Sequence, residues 1–108
     1  MSKIAVVTGA YQGIGKGIAD GLKSAGYTVI YSDVHPEMEG EVYCKCDISK
    51  EEDRRALAAF AIEKYGRIDL LVNNAGVACK VRLDVLAKQK PPPHRIFVAF
   101  PVFPQSSA

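Results

Sequence analysis

The chain has 108 residues, 48% of them hydrophobic and 24% charged, which limits it to one globular domain and argues against wholesale disorder. Its formal net charge of +2 is too small to indicate nucleic-acid binding, and no apolar stretch is long enough for a transmembrane helix or a signal peptide. We therefore expect a cytoplasmic protein without nucleic-acid or membrane partners. Its three cysteines are not clustered with histidines, so we predict no metal site.

The first third of the chain predicts a strand, a helix and a second strand. Lys3–Val7 is a short apolar run of the kind found in buried strands. Gly26 is placed to end the helix, and Thr28–Ser32 is rich in β-forming residues and runs into Asp33. The apolar face of the helix recurs every three or four positions, at Ile14, Ile18, Leu22 and Ala25.

The middle of the chain predicts a third strand, a second helix and a fourth strand. Glu41–Cys46 is the third strand. Ser49 and Glu52 have the spacing of a capping box, in which each side chain bonds a backbone N–H at the start of a helix. Gly66 ends this helix, and Ile68–Val72 forms the fourth strand. The inward face of the helix carries Leu57, Phe60, Ala61 and Tyr65.

The order of these elements predicts the fold class. Strands alternating with helices are typical of an α/β fold, in which helices cover a mostly parallel sheet. Right-handed crossovers then give the strand order 3-2-1-4, which is part of a doubly wound sheet.

The character of the sequence changes after Gly76. Residues 1–76 carry nine Lys/Arg and eleven Asp/Glu, a net charge of −2, whereas residues 77–108 carry five Lys/Arg and one Asp, a net charge of +4. Five of the six prolines lie beyond residue 90, where they oppose helix formation. We therefore divide the chain into an α/β unit at residues 1–78 and an irregular, basic, proline-rich tail at residues 79–108. Within the tail, Val81–Lys88 could form a helix and Ile96–Phe100 a strand.

A glycine-rich turn between the first strand and the first helix predicts a nucleotide site. Gly9, Gly13 and Gly15 leave room for a phosphate beside the positive end of the helix dipole. Asp33 lies 24 positions after Gly9, close to the spacing of about 20 expected for an acid that binds an adenosine ribose. A carboxylate there repels a 2′-phosphate, so the pattern favours NAD over NADP. The simpler interpretation of Asp33 is an ordinary residue of a strand-end turn.

Two motifs resemble a known family. They are Thr8-Gly9-Ala10-Tyr11-Gln12-Gly13-Ile14-Gly15 and Asn73-Asn74-Ala75-Gly76. With Asp33 and Cys46-Asp47-Ile48 between them, they resemble the NAD(P)-binding Rossmann half of the short-chain dehydrogenase/reductase family, over about residues 3–78. The resemblance implies hydride transfer between a nicotinamide and an alcohol or ketone.

The resemblance also assigns roles to residues. The glycines and Ile14 would lie along the pyrophosphate, Asp33 would bind the adenosine ribose, and Asp47 and Ile48 would flank the adenine. The alternatives are that Asp47 only helps to start the second helix and that Asn73 and Asn74 only cap a loop. The complete predicted cofactor-binding set is Thr8, Gly9, Gln12, Gly13, Ile14, Gly15, Asp33, Asp47, Ile48, Asn74, Ala75 and Gly76.

The catalytic pair of that family is missing from this sequence. The resemblance implies a Tyr followed four residues later by a Lys, with a Ser nearby. None of the five tyrosines is followed by Lys at that spacing, and no role is assigned to Ser106 or Ser107. We therefore predict a cofactor-binding fragment that is inactive alone. The alternatives are a non-catalytic nucleotide-binding or dimerising module, and a truncated or frame-shifted product without function.

Two alternative predictions concern the free edge of the fourth strand. Without a further neighbour it would be an apolar edge through which copies of the chain associate. Alternatively, Ile96–Phe100 would return after a crossover and pair beside it as a substitute fifth strand.

Overall fold

The structure is a computed structural model that describes residues 3–74 and the backbone of residues 97–99. It contains two helices and five strands within these residues. In chain order they are β1 (Ile4–Thr8), α1 (Gly13–Ser24), β2 (Thr28–Asp33), β3 (Val42–Lys45), α2 (Glu51–Tyr65), β4 (Leu70–Asn73) and β5 (Phe97–Ala99).

The strands form one sheet in the order β3-β2-β1-β4-β5, and each neighbouring pair is parallel. The predicted α/β class and the order 3-2-1-4 are therefore confirmed. Val6 at the centre of β1 lies in register with Ile30 of β2 on one side and Leu71 of β4 on the other. The first strand of the chain is thus the middle strand of the sheet.

The tail contributes a strand to this sheet. Leu70 of β4 is paired in parallel with Phe97 of β5, so the predicted substitute strand is present, shorter than Ile96–Phe100 by one residue at each end. These three residues therefore form a regular strand within the tail. The expectation that β4 is an exposed edge is wrong, because β5 uses the backbone groups through which a second copy would pair. The proposed helix at Val81–Lys88 lies outside the described residues.

The sheet buries an apolar cluster on each face. Side chains alternate along β1, so that Ile4 and Val6 face α2 while Ala5 and Val7 face α1. All five residues of β1 are buried, as expected for a strand covered by helices on both sides. The α2-side cluster is Ile4, Val6, Ile30, Cys46, Leu57, Ala58, Ala61, Ile68 and Leu71, and the α1-side cluster is Ala5, Val7, Ala10, Ala19, Val29, Tyr31 and Val72.

The predicted apolar face of α1 is confirmed at Ile18 and Leu22, which pack against the α1-side cluster, and is wrong at Ile14 and Ala25. Gly15 and Ala19 are its buried residues, whereas Ile14 is 58% exposed and Ala25 lies on the surface beyond the helix end. Each step along a helix turns it by about 100°, so when Gly15 faces β1 the side chain of Ile14 points elsewhere. The predicted end is confirmed, because Gly26 has a φ of +105°, a left-handed conformation typical after a helix.

The predicted capping box of α2 is wrong. The helix begins at Glu51, and the hydroxyl of Ser49 donates instead to Oδ1 of Asp47 at 2.6 Å. Asp47 and Ser49 form a local turn, and this turn competes with capping for the serine. The end of α2 is confirmed, because Gly66 has a φ of +80°.

Candidate functional site

The carboxyl ends of β1, β2 and β4 meet at one edge of the sheet. After β1 the chain continues to β2 on one side, and after α2 it returns to β4 on the other side of β1. The order of strands therefore reverses between β1 and β4. In open α/β sheets a ligand binds in the crevice that such a reversal creates.

The glycine-rich turn after β1 lies in this crevice. Gly9 and Gly13 both have a φ of +65°, which other residue types rarely adopt. A Cβ atom on Gly13 would meet no atom within 4 Å, so the turn is open on that side. A Cβ atom on Gly15 would lie 1.9 Å from the carbonyl oxygen of Gly9, so only glycine lets α1 approach the strand this closely.

The start of α1 is suited to an anion. Its first four residues, 13–16, contain no acid, and the side chain of its N-cap, Gln12, makes no capping hydrogen bond within the described part of the chain. Free N–H groups at a helix start, together with the helix dipole, attract phosphates. The open turn at Gly13 leads directly to these groups.

Asp33 links the end of β2 to the glycine-rich turn. Its Oδ2 accepts a hydrogen bond from the backbone N–H of Tyr11 at 3.0 Å, and its Oδ1 accepts one from Val34 at 2.7 Å. Each carboxylate oxygen has a second lone pair for another donor. The strand-end turn and the ribose anchor are therefore compatible roles for the same partly exposed side chain.

A buried hydrogen-bond network joins the ends of β1 and β4. The Thr8 hydroxyl lies 3.2 Å from Oδ1 of Asn73 and accepts the N–H of Asn74 at 3.0 Å. Nδ2 of Asn74 donates to the carbonyl of Gly9 at 3.3 Å. Nδ2 of Asn73 is buried and has no partner within the described residues. Thr8 and Asn74 thus hold the glycine-rich turn in place. Contact of either residue with a cofactor stays a prediction. Ala75 and Gly76 lie outside the described residues.

Asp47 and Ile48 follow β3 at the same sheet edge. The backbone N–H of Cys46 donates to the carbonyl of Asp33 at 2.8 Å, so Asp47 comes one residue after this contact with the end of β2. The Ser49 hydroxyl and then the Ser49 N–H lower the pKa of Asp47 from its ordinary value. Ile48 is half-buried against the α2-side cluster. Asp47 therefore orders the turn before α2, and adenine binding by this pair stays a prediction.

Sequence reasoning missed an aromatic pair beside Asp33. The rings of Tyr11 and His35 stack with centroids 3.8 Å apart and planes inclined by 21°. The hydroxyl of Tyr43 donates to the carbonyl of His35 at 2.6 Å, and burial, followed by the charge of Asp33, raises the pKa of Tyr43 to about 12. No spacing rule in the sequence links positions 11 and 35.

Two large apolar side chains are exposed at the candidate site. Ile14 is 58% exposed at the start of α1, and Val34 is 54% exposed immediately after Asp33. They are the exposed large hydrophobic side chains among the described residues. Apolar groups at the rim of a polar crevice are typical of ligand sites.

Residues 3–74 contain no group of three His, Cys, Asp or Glu side chains that could hold a metal ion. Neither helix described here is long and apolar enough to span a membrane.

Comparison with known proteins gives consistent matches. The family model described as short chain dehydrogenase matches residues 3–91. The 7alpha-hydroxysteroid dehydrogenase of Escherichia coli is 43% identical over 86 residues, covering 68% of this chain and 34% of the relative. The L-fucose dehydrogenase of Oryctolagus cuniculus is 42% identical over 82 residues, covering 68% and 29%. The chain thus spans about a third of the length of these relatives.

Solved structures match the same part of the chain. The ligand-free aldohexose dehydrogenase of Thermoplasma acidophilum has a TM-score of 0.64 at 36% identity and is matched over 69% of this chain and 30% of its own. The hydroxysteroid dehydrogenase of Escherichia coli has a TM-score of 0.62 at 43% identity, with 68% and 36% covered. At these identities the likeness includes sequence as well as fold.

Proposed function

We propose that this chain binds a nicotinamide dinucleotide and represents the cofactor-binding half of an oxidoreductase. The chain belongs to the short-chain dehydrogenase family. Members of the family use NAD or NADP. The observation that carries the proposal is the hydrogen bond from Tyr11 N–H to Asp33. It joins a helix start that is suited to a phosphate to a carboxylate that is suited to a ribose.

The described residues fit the two halves of such a cofactor. The pyrophosphate would lie at the open turn beside Gly13, where the first N–H groups of α1 are available. The adenosine ribose would donate its hydroxyls to Asp33, and the adenine would cover the exposed side chain of Val34. When bound, the group would supply a nicotinamide ring that accepts or donates hydride.

We propose that NAD is preferred over NADP. A 2′-phosphate would meet the Asp33 carboxylate, and neither Val34 nor Gln12 offers a cation to offset the repulsion. Lys16, in the first turn of α1, is paired with Asp20 at 2.7 Å. Lys45, the register partner of Asp33 on β3, is exposed. Its effect on the preference for NAD over NADP is tested by substitution.

We also propose that these 108 residues bind without catalysing. Their sequence has no Tyr followed four positions later by Lys, the pair that would share one helix face and move the substrate proton. Relatives are named for hydroxysteroid, fucose and diacetyl substrates, so an alcohol or a ketone is the class of substrate proposed for the whole oxidoreductase.

The test is a titration with NADH and with NADPH, followed by the fluorescence of the reduced nicotinamide. We expect NADH to bind more tightly, and we expect Lys45→Ala to leave that order unchanged. Absence of NADH binding would contradict the proposed function, and tighter binding of NADPH would contradict the preference. Turnover of steroid, sugar or diketone substrates by the chain alone would contradict the separation of binding from catalysis.

A further inference from the structure

Tyr11 belongs to the glycine-rich turn and His35 follows Asp33 by two residues, so their stacked rings link the two halves of the proposed cofactor site. We infer that this stack couples the phosphate-binding turn to the ribose anchor, and that Tyr11 and His35 are positioning residues for a dinucleotide. The inference rests on the proposed function. It concerns residues to which the sequence motifs assign no role.

The turn that carries Tyr11 has two points at which it can change direction. Gly9 and Gly13, both at a φ of +65°, flank residues 10–12, and glycine has the widest choice of backbone conformations. Without further contacts, residues 10–12 would therefore have several conformations available. A phosphate cradle needs one of them, because ordering the loop on binding lowers affinity.

Three contacts tie this turn to the end of β2. The N–H of Ala10 donates to the carbonyl of Ser32 at 3.0 Å, and the N–H of Tyr11 donates to Oδ2 of Asp33 at 3.0 Å. Both use backbone donors that any residue except proline supplies. The third contact, the ring stack on His35, is the one that depends on the side chain at position 11.

The backbone that carries the partner ring is itself held in place. His35 is half-buried, and its carbonyl accepts the hydroxyl of Tyr43 at 2.6 Å, which ties the segment after β2 to β3. Tyr11 therefore stacks on a group anchored to the sheet. A displaced ring would disturb the turn that carries the Tyr11 N–H, whereas Asp33 would keep its own bond from the Val34 N–H.

A coupling of this kind has a specific consequence for ligands. NADH occupies both the phosphate turn and the ribose anchor, whereas adenosine reaches only the anchor. Removal of the stack should weaken NADH more than adenosine. A residue that merely supports the fold would change the binding of both ligands alike.

The experiment compares Tyr11→Leu, His35→Ala and Tyr11→Phe with the parent in the full chain. NADH binding is followed by fluorescence, adenosine binding by NMR chemical shifts, and folding by circular dichroism and thermal unfolding. We expect the first two variants to raise the Kd for NADH about three- to tenfold, the range of an aromatic pair. Tyr11→Phe keeps an aromatic ring at this position and should bind NADH with the Kd of the parent. The Kd for adenosine should change less than about twofold, the usual limit for independent effects.

The combined variant gives an independent check. If the rings act as one unit, Tyr11→Leu with His35→Ala should bind NADH no more weakly than either change alone. His35→Ala carries the test if Tyr11→Leu does not fold, because position 35 lies outside the glycine-rich turn. Kd values for NADH within about twofold of the parent in the folded variants would overturn the inference.

Equal weakening of NADH and adenosine would also overturn the inference, since it would indicate structural support alone. These failures differ from that of the proposed function. The latter would appear as absence of NADH binding by the parent chain and would overturn both ideas.

Discussion

The two helices within residues 3–74 begin at the same edge of the sheet, but they differ in the charge at their positive ends. The first turn of α1 contains no acid and follows a glycine turn open at Gly13. The first turn of α2 contains Glu51, Glu52 and Asp53, and Oδ2 of Asp53 accepts the N–H of Asp47 at 2.8 Å. Negative side chains in a first turn stabilise a helix, whereas their absence leaves the positive end for an external anion.

The same strand-to-helix arrangement thus occurs twice, once with a first helical turn that favours stability and once with a first helical turn that favours anion binding. At α2 the three acids of the first turn offset the positive end of the helix dipole, so that end offers little to an anionic ligand. At α1 the same kind of end is left unneutralised, and the cost is offset by the close approach at Gly15 and by the hydrogen bonds around Thr8. The following variants test this comparison, from the largest expected effect to the smallest.

Gly15→Ala should have the largest effect. Its Cβ would lie 1.9 Å from a backbone oxygen of Gly9, so α1 has to shift. We expect a loss of about 3 kcal/mol or more in the free energy of unfolding, at the upper end for overpacking, and loss of NADH binding. Chemical denaturation and NADH titration measure the two effects.

The matched control is Gly17→Ala on the same helix. A Cβ there would meet no atom within 4 Å, so the substitution should raise stability by about 0.5–1 kcal/mol through helix propensity. NADH should bind as in the parent. If Gly15→Ala were as stable as Gly17→Ala, the close approach of α1 to the turn would not be required.

Asp33→Ala should have the next largest effect, on binding. The variant removes a charged acceptor, which is worth about 1.5–3 kcal/mol, so the Kd for NADH should rise at least about tenfold. Glu63→Ala, which removes an exposed acid on α2, is the control and should leave binding unchanged. Unaltered NADH affinity in Asp33→Ala would show that the ribose anchor is assigned to the wrong residue.

Gln12→Glu should give the start of α1 a negative charge like those at the start of α2. An acid at this helix start should raise the free energy of unfolding by about 0.3–1 kcal/mol and weaken NADH severalfold by repelling its phosphates. Glu52→Gln should do the reverse to stability, lowering it by about 0.3–1 kcal/mol with no effect on NADH. The comparison fails if both variants change NADH affinity alike.

Ser49→Ala should have the smallest effect, confined to the turn before α2. The Ser49 hydroxyl is the main cause of the lowered pKa of Asp47, so the variant should move that pKa back toward its ordinary value. Because the lowered pKa favours the folded state, its contribution is present above about pH 4 and is lost as the pH falls through the folded-state pKa. An NMR titration of the Asp47 carboxyl carbon measures the shift.

Ser24→Ala on α1 is the control for that titration and should leave the pKa of Asp47 in place. A pKa of Asp47 that is the same in Ser49→Ala and in the parent would remove the hydroxyl as the cause.

Local patterns in the sequence predicted most of the described fold. The strands of residues 3–74 were located to within one or two residues, and the glycines at 26 and 66 end both helices, because these features depend on neighbouring residues. The capping box at Ser49 failed, since Asp47 competes for the same hydroxyl. The predicted face of α1 failed at Ile14, because a glycine packs more closely against the sheet than a larger apolar residue can.

The candidate site was predictable where a residue type has one strong physical reason to be present. Glycines at a strand-to-helix turn and an acid after the next strand are such cases, and Gly9, Gly13, Gly15 and Asp33 do meet at one sheet edge. The stack of Tyr11 on His35 was not predictable, because either residue is common on a surface and only the fold brings them within 3.8 Å.

The sequence by itself determined the order of elements, the parallel sheet and the glycine-rich turn, because backbone geometry imposes short-range spacing on all three. The tertiary structure decided which side chains face one another across that turn and which segment pairs with β4. These outcomes depend on competition among contacts between residues far apart in the chain, and short-range spacing carries no record of that competition. Asp33 shows both kinds of determination: its position follows from spacing, and its bond to Tyr11 follows from the fold.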